Sequence, residues 1–118
     1  MGFAEDAADK VKAAAEVTAK RTGELVGLGK ANIKILEIQN NIEKLCAQIG
    51  KLVYNSSKGG EDIEDEVSMK ISAIDELNMQ MEIQRELIAE IKGQKRCASC
   101  GYINKAEQDF CGKCAATL

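Results

Sequence analysis

The chain has 118 residues, enough for one small domain or for a helical unit with a small appendage, but too few for two separate hydrophobic cores. Only 3% of the residues are aromatic, 30% are charged and there is no Pro and no Trp, which is typical of long helices and argues against an all-β fold. The net charge is −3, and the absence of His removes the commonest general base, so we expect a protein that is not an enzyme.

Residues 1–29 form an Ala-rich segment that we predict to be an amphipathic helix. Residues 4–14 and 15–25 align as two units of 11 residues, a period that keeps one stripe on a nearly straight helix. The segment ends in three glycines, Gly23, Gly27 and Gly29. Because glycine costs about 1 kcal/mol relative to alanine inside a helix, we expect a break or hinge there. The sequence leaves three alternatives open for this segment: it docks on a helical bundle, it lies on a membrane surface, or it stays partly disordered.

Residues 30–92 are predicted to form an antiparallel helical hairpin that resembles a coiled coil. In the first helix, apolar residues alternate in steps of three and four, which places them on one stripe: Ile35, Ile38, Ile42, Leu45, Ile49 and Leu52. The second helix carries a less regular stripe, interrupted by Lys70 and Gln84: Val67, Ile71, Ile74, Leu77, Met81, Ile88 and Ile91. Two glycines in the polar link predict a turn near 55–61, and Asp62 can cap the next helix.

Folding about this turn pairs Ile49 with Val67, Ile42 with Ile74 and Ile35 with Met81, so the two stripes face each other. More apolar residues lie off these stripes than one partner helix can cover: Ile33, Leu36, Val53, Met69, Met79, Ile83 and Leu87. We therefore expect another copy of the chain to cover the surplus, giving a dimer or a higher oligomer, unless the N-terminal helix covers it within one chain.

Residues 93–118 carry two Cys-x-x-Cys motifs separated by ten residues: Cys97, Cys100, Cys111 and Cys114. Four thiolates in two tight turns suit one tetrahedral Zn²⁺ ion per chain, and glycine follows or lies inside each motif, as such turns require. Because protein sulfurs fill all four positions, the site is predicted to be structural. The fifth cysteine, Cys46, is interpreted as a small buried apolar residue rather than a reactive thiol.

Four thiolates around Zn²⁺ carry a formal charge of −2, and nearby basic residues can compensate part of it: Lys95, Arg96, Lys105 and Lys113. The first residues of the chain are acidic, and no stretch approaches the roughly 20 apolar residues that cross a bilayer. We therefore expect a cytoplasmic protein without a transmembrane segment or an export signal, whose thiols bind metal rather than form disulfides.

The segment 96–118 resembles the small C-terminal zinc ribbons of bacterial and archaeal proteins, in which Cys-Pro-x-Cys-Gly occurs twice. Here Ala98 and Gly112 stand in place of the proline, and Ala115 stands in place of the second glycine. With the helical segment 45–54 ahead of the ribbon, the whole chain resembles the short zinc-ribbon domain-containing proteins of Firmicutes. This resemblance implies a helical or coiled-coil region that carries a zinc ribbon, and it supplies no function.

Three functions fit these patterns. The first is a non-enzymatic scaffold or adaptor that self-associates through its helices and presents the ribbon to an unidentified protein partner. The second is nucleic-acid binding, which the lysines near the ribbon favour. The net charge of −3 disfavours it, and so does the small number of aromatic residues in the ribbon, since only Tyr102 and Phe110 could stack on bases. The third is a membrane-surface or stress-protective role for the amphipathic N-terminal helix.

Overall fold

The structure, a computed structural model, describes residues 2–118, with side chains from Glu5 onward. Within that range the chain forms helix α1 (Gly2–Gly59), helix α2 (Glu64–Ile91), strand β1 (Gln94–Arg96) and strand β2 (Ile103–Lys105). The molecule measures 87 × 32 × 15 Å, and its radius of gyration is 23.0 Å, against about 13 Å for a compact domain of this length. The predicted fold class, a long helical hairpin with a small C-terminal sheet and cysteine cluster, is confirmed.

Helix α1 is continuous through its glycines, so the expected break at 23–29 is wrong. A helix that continues gains one backbone hydrogen bond per residue, whereas a break would require a new nucleation, and this difference outweighs about 1 kcal/mol per glycine. Gly27 also lies where α1 meets the end of α2, because a Cβ atom on it would be 3.2 Å from Cδ1 of Ile91. The missing side chain allows this close approach.

The turn between the helices begins later than predicted. Residues 55–59 remain helical, and Gly60 ends α1 with a φ of +73°, while its N–H donates to the carbonyl oxygen of Ser56 at 2.7 Å. Glycine adopts this left-handed conformation without steric cost, and it commonly ends helices in this way. The predicted cap is displaced by one residue, because Ile63 is the N-cap of α2 and makes no side-chain capping bond. Asp62 lies one residue before it, and its Oδ1 accepts a hydrogen bond from the N–H of Glu64 at 3.1 Å.

Two contacts near opposite ends of the hairpin define its register. Gly27 faces Ile91, and Nζ of Lys70 donates to Oε1 of Gln48 at 2.9 Å. The interval from Gly27 to Gln48 on α1 and the interval from Ile91 back to Lys70 on α2 are both 21 residues, so one antiparallel register accounts for both contacts. The predicted pairing of Ile49 with Val67 differs from this register by two residues, about 3 Å along the axis. The antiparallel arrangement follows the two apolar stripes.

The core of the hairpin is the predicted stripe of α1. Ile38 is 2% exposed, and the other five members of the stripe are partly buried. In α2 the stripe passes through Lys70, which is partly buried, and not through Ile71. The side chain of Ile71 is about half exposed. From Val67 through position 70 to Ile74, Leu77 and Met81, the steps alternate strictly as three, four, three and four, so Ile71 falls to one side.

Residues 5–23 of α1 are not covered by any other residue that the structure describes. All residues from 5 to 23 are exposed, and α2 ends opposite Gly27. About 25 residues of single helix, roughly 37 Å, therefore extend beyond the hairpin. Residues 5–23 therefore do not cover the surplus apolar surface of the hairpin in the part of the chain that the structure describes.

Candidate metal centre

The two Cys-x-x-Cys motifs fold into the same turn, which we call a knuckle. In the first knuckle, the N–H of Gly101 donates to the carbonyl oxygen of Cys97 at 2.8 Å; in the second, the N–H of Ala115 donates to that of Cys111 at 3.0 Å. Both motifs also close with a bond in which the first cysteine N–H donates to the carbonyl oxygen five residues later, at 2.9 and 2.8 Å. The spacing of the motifs therefore produces two equivalent loops.

Each knuckle is held by a short antiparallel pairing. Strands β1 and β2 flank the first knuckle, with Gln94 opposite Lys105 and Arg96 opposite Ile103. An isolated bridge between Phe110 and Thr117 flanks the second. The pairing of β1 with β2 and the bridge between Phe110 and Thr117 thus hold the two pairs of cysteines close to each other.

The four cysteine sulfurs meet as the sequence predicts. Their Sγ atoms all lie within 4.8 Å of one another, with 3.5 Å between Cys97 and Cys114 and 3.6 Å between Cys100 and Cys111. A tetrahedral Zn²⁺ ion with Zn–S bonds near 2.3 Å requires sulfurs about 3.8 Å apart. A disulfide would require about 2.05 Å. The donor set and its spacing therefore fit a tetrahedral metal ion, and among the described residues this is the one such cluster.

Backbone N–H groups prepare the first sulfur of each knuckle to ionise. Burial opposes ionisation of the Cys111 thiol, but N–H groups of Cys114 and Lys113 outweigh it and lower the pKa of Cys111 to about 6, with help from the Asn104 amide. In the first knuckle, the N–H of Cys100 is the main cause that lowers the pKa of Cys97. Both of these sulfurs are buried. The fold thus stabilises thiolates where a metal would need them.

The sulfurs compete for this stabilisation. The N–H of Ala116 favours ionisation of Cys114, but the neighbouring sulfurs of Cys97 and Cys100 outweigh it and raise the pKa of Cys114 to about 12. Four thiols this close cannot all ionise without a cation, because like charges repel at short range. A divalent metal ion would supply the compensating charge.

Asn104 is a residue of the site that the sequence did not reveal. It lies in β2, is 3% exposed and bonds to both knuckles. Its one sequence signal is a polar residue at the centre of a short strand whose neighbours, Ile103 and Lys105, point to the exposed side.

Two of the four basic residues predicted to compensate the sulfurs have other partners. The guanidinium of Arg96 bonds to the carboxylate of Glu82 on α2, and Nζ of Lys95 donates to the carbonyl oxygen of Gln108 at 3.1 Å. Hydrogen bonding to Arg96 is the first cause that lowers the pKa of Glu82, and Arg85 adds to it. Arg96 therefore connects the ribbon to the hairpin.

Cys46 takes no part in the cluster, and its predicted burial is wrong, because its side chain is exposed on α1. The buried stripe there steps from Ile42 to Leu45 to Ile49. Position 46 is one residue past Leu45, about 100° around the helix, and so it leaves the seam.

Comparison of the chain with protein-family models finds no match, and comparisons with curated proteins and with solved structures find no significant match. Among the described residues, no helix is both long enough and apolar enough to cross a membrane. The cysteine cluster and the surfaces of the two helices are the features of the molecule that point to a function.

Proposed function

We propose that this protein is a non-enzymatic scaffold or adaptor of the short zinc-ribbon type, whose helices self-associate and whose ribbon is presented to a protein partner. The observation that carries the proposal is a row of large apolar side chains left exposed on the face of α1 opposite the hairpin seam. Leu25 is 68% exposed, Ile33 59% and Leu36 60%.

The metal site of this proposal holds one structural Zn²⁺ ion per chain. Four cysteine sulfurs at tetrahedral spacing are a donor set typical of structural zinc, and they leave no coordination position for water or substrate. A closed site of this kind supports folding of the ribbon rather than catalysis. Zinc would hold together a segment that has few buried apolar residues, among them Cys97 and Cys111 themselves.

The exposed face of α1 has the periodicity of a helix–helix seam. We define the outer stripe as Thr18, Thr22, Leu25, Gly29, Ile33 and Leu36, which follow one another in steps of four, three, four, four and three residues. This alternation places them on one face of a straight helix. The stripe also runs from the hairpin into the part of α1 before residue 24, which is exposed over residues 5–23.

A second copy of the chain is the partner that this stripe fits best. In a twofold dimer the same face contacts itself, so no complementary surface has to be found elsewhere. Burying a large aliphatic side chain contributes about 1.5–3 kcal/mol, so covering Leu25, Ile33 and Leu36 in both copies stabilises a dimer substantially. The exposed side chains on the outer face of α2 remain for a further copy or a different protein: Met69, Met79, Ile83 and Leu87.

Light scattering on full-length protein tests this proposal. We expect the wild type to be a dimer or higher oligomer at micromolar concentration and the variant Leu25→Glu/Leu36→Glu to be monomeric. The matched control is Val17→Glu/Val53→Glu, which adds the same charges to the same helix at residues 53% and 52% exposed. Val53 belongs to the surplus apolar surface, but it lies about 100° around the helix from the continuation of the outer stripe. The control should assemble as the wild type does.

Circular dichroism on the same samples should show equal helical content in the three proteins. A wild type that is monomeric at these concentrations refutes self-association. Equal assembly of both double variants refutes the outer stripe as its seam.

Nucleic-acid binding is the second candidate, and the exposed aromatic side chains of the ribbon favour it. Tyr102 and Phe110 are both exposed, and so are Lys105 and Lys113. Aromatic rings and lysines together are the usual means of binding single strands. Fluorescence anisotropy with a labelled single-stranded oligonucleotide at low salt tests it: binding that is weakened by Tyr102→Ala and by added salt supports it, and no binding at low salt refutes it.

A further inference from the structure

We propose that Asn104 is a positioning residue for the metal site, which holds the second knuckle in register with the first. This inference rests on the proposed zinc site. The carboxamide of Asn104 is the one side chain in the described ribbon that hydrogen bonds to the backbone of both knuckles.

The two bonds have opposite directions. Asn104 Nδ2 donates to the carbonyl oxygen of Tyr102 at 3.2 Å, and Asn104 Oδ1 accepts from the N–H of Gly112 at 2.9 Å. The same Tyr102 carbonyl accepts the N–H of Cys97, and Gly112 lies between the two cysteines of the second knuckle. One planar amide therefore joins a residue that closes the first loop to a residue inside the second.

The surroundings fix the side chain in this position. Asn104 is 3% exposed, and Nε2 of Gln108 also donates to its Oδ1, at 3.4 Å. Oε1 of Gln108 in turn accepts the N–H of Lys105 at 2.9 Å. A buried amide with donor and acceptor both used does not rotate freely, since a flipped amide would place two donors or two acceptors together.

The need for such a link follows from the chain between the knuckles. Ten residues separate Cys100 from Cys111, and the backbone pairing of β1 with β2 orders the first loop only. Without Asn104, the second knuckle would be joined to the first by the metal and by bonds that reach only its edge: Gln108 bonds to the N–H of Lys105 and to the carbonyl oxygen of Phe110, and Lys95 bonds to the carbonyl oxygen of Gln108. Groups that orient metal ligands in this way commonly change metal affinity by 10- to 100-fold when removed.

The first test is zinc affinity, measured by competition with a chromophoric chelator on the full-length protein. We expect Asn104→Ala to bind Zn²⁺ about 10- to 100-fold more weakly than wild type. The matched control is Gln94→Ala, which also removes a neutral amide from the same two-stranded sheet but at an exposed position. The control should stay within about twofold of wild type. Equal affinities of Asn104→Ala and wild type overturn the inference, whereas a wild type that binds no zinc overturns the proposed metal site instead.

The second test separates positioning from general loss of folding. With excess zinc present, each cysteine of Asn104→Ala is followed by alkylation and peptide mass mapping. We expect Cys111 and Cys114 to be labelled faster than in wild type by a larger factor than Cys97 and Cys100, because the second knuckle loses its connection to the first. Acceleration of all four by the same factor indicates unfolding of the whole ribbon, and it overturns the positioning role.

Discussion

Ala115 holds a backbone conformation that suits glycine, and replacing it should tighten the metal site. Ala115 has a φ of +63°, and it occupies the place in the second knuckle that Gly101, with a φ of +77°, occupies in the first. It is the one non-glycine residue with a positive φ among those the structure describes. A side chain in the left-handed region costs about 1–2 kcal/mol because Cβ crowds the neighbouring carbonyl oxygen.

The expected size of the effect follows from two opposing contributions. Ala115→Gly removes the strain of about 1–2 kcal/mol but returns about 0.4–1 kcal/mol of freedom to the unfolded chain. The net gain is about 0.5–1 kcal/mol. Since binding of a structural metal and folding of its site are one equilibrium, this gain should appear as zinc binding about two- to fivefold tighter in a chelator competition assay.

Two variants bracket this result. Ala116→Gly changes the next residue, whose φ is not positive, and should weaken zinc binding slightly through chain entropy alone. Gly101→Ala should weaken it more, because the new Cβ meets the positive φ and also lies 2.9 Å from Nη2 of Arg96. If Ala115→Gly weakened binding as much as Ala116→Gly does, the strain assigned to Ala115 would not exist.

Three further predictions concern the metal, the seam and the connection between them. Cys111→Ser or treatment with a chelator should unfold the ribbon while the hairpin keeps its helical content. Native mass spectrometry measures the bound zinc, and circular dichroism measures the helical content. A wild-type protein that carries no zinc after purification without a chelator would contradict the metal site. Ile38→Ala should destabilise the hairpin by about 2–5 kcal/mol in urea unfolding, against about 0.5 kcal/mol for the exposed control Val53→Ala, and equal losses would contradict the seam. Glu82→Gln should destabilise the zinc-loaded protein at pH 7, because Arg96 holds the pKa of Glu82 below its ordinary value of 4.5 in the folded state only. A group whose pKa is lowered by folding contributes its full stabilisation above its unfolded pKa, so the difference from wild type should begin to shrink as the pH falls below about 4.5. It should be lost as the pH falls through the lowered pKa of Glu82 in the folded state, and a difference that persists below that point would show that the ion pair is not its cause.

The seam and the cysteine cluster could be predicted because each follows from spacing alone. Steps of three and four residues around Ile38 define one helix face whatever lies beyond it. The spacing of the four cysteines likewise fixes two tight turns, and few arrangements other than a shared metal ion bring such turns together. The predicted burial of Cys46 is wrong because it rests on the residue type alone. Cysteine is commonly buried, but position 46 lies off the stripe and its side chain is exposed.

Other features depended on contacts that spacing does not reveal. The expected break at 23–29 relied on glycine propensity, whereas Gly27 is placed where α1 needs room for Ile91 of the other helix. Asn104 could not be identified because its burial and both of its bonds exist only once the two knuckles have come together. The sequence does not predict the ion pair of Arg96, because its partner, Glu82, is 14 residues away in sequence.

The conformation of the first knuckle also determines how the ribbon sits on the hairpin. A side chain at Gly101 would collide with the guanidinium of Arg96, so the glycine that the turn requires also makes room for this side chain. Arg96 is largely buried, and from this position it reaches Glu82 on α2. A surface ion pair contributes little by itself, but here the pair, the glycine and the turn that holds Cys97 are adjacent parts of one structure. Metal binding in the ribbon and its attachment to α2 should therefore depend on each other, and a zinc ion at the cysteine cluster would stabilise the end of the hairpin as well as the ribbon.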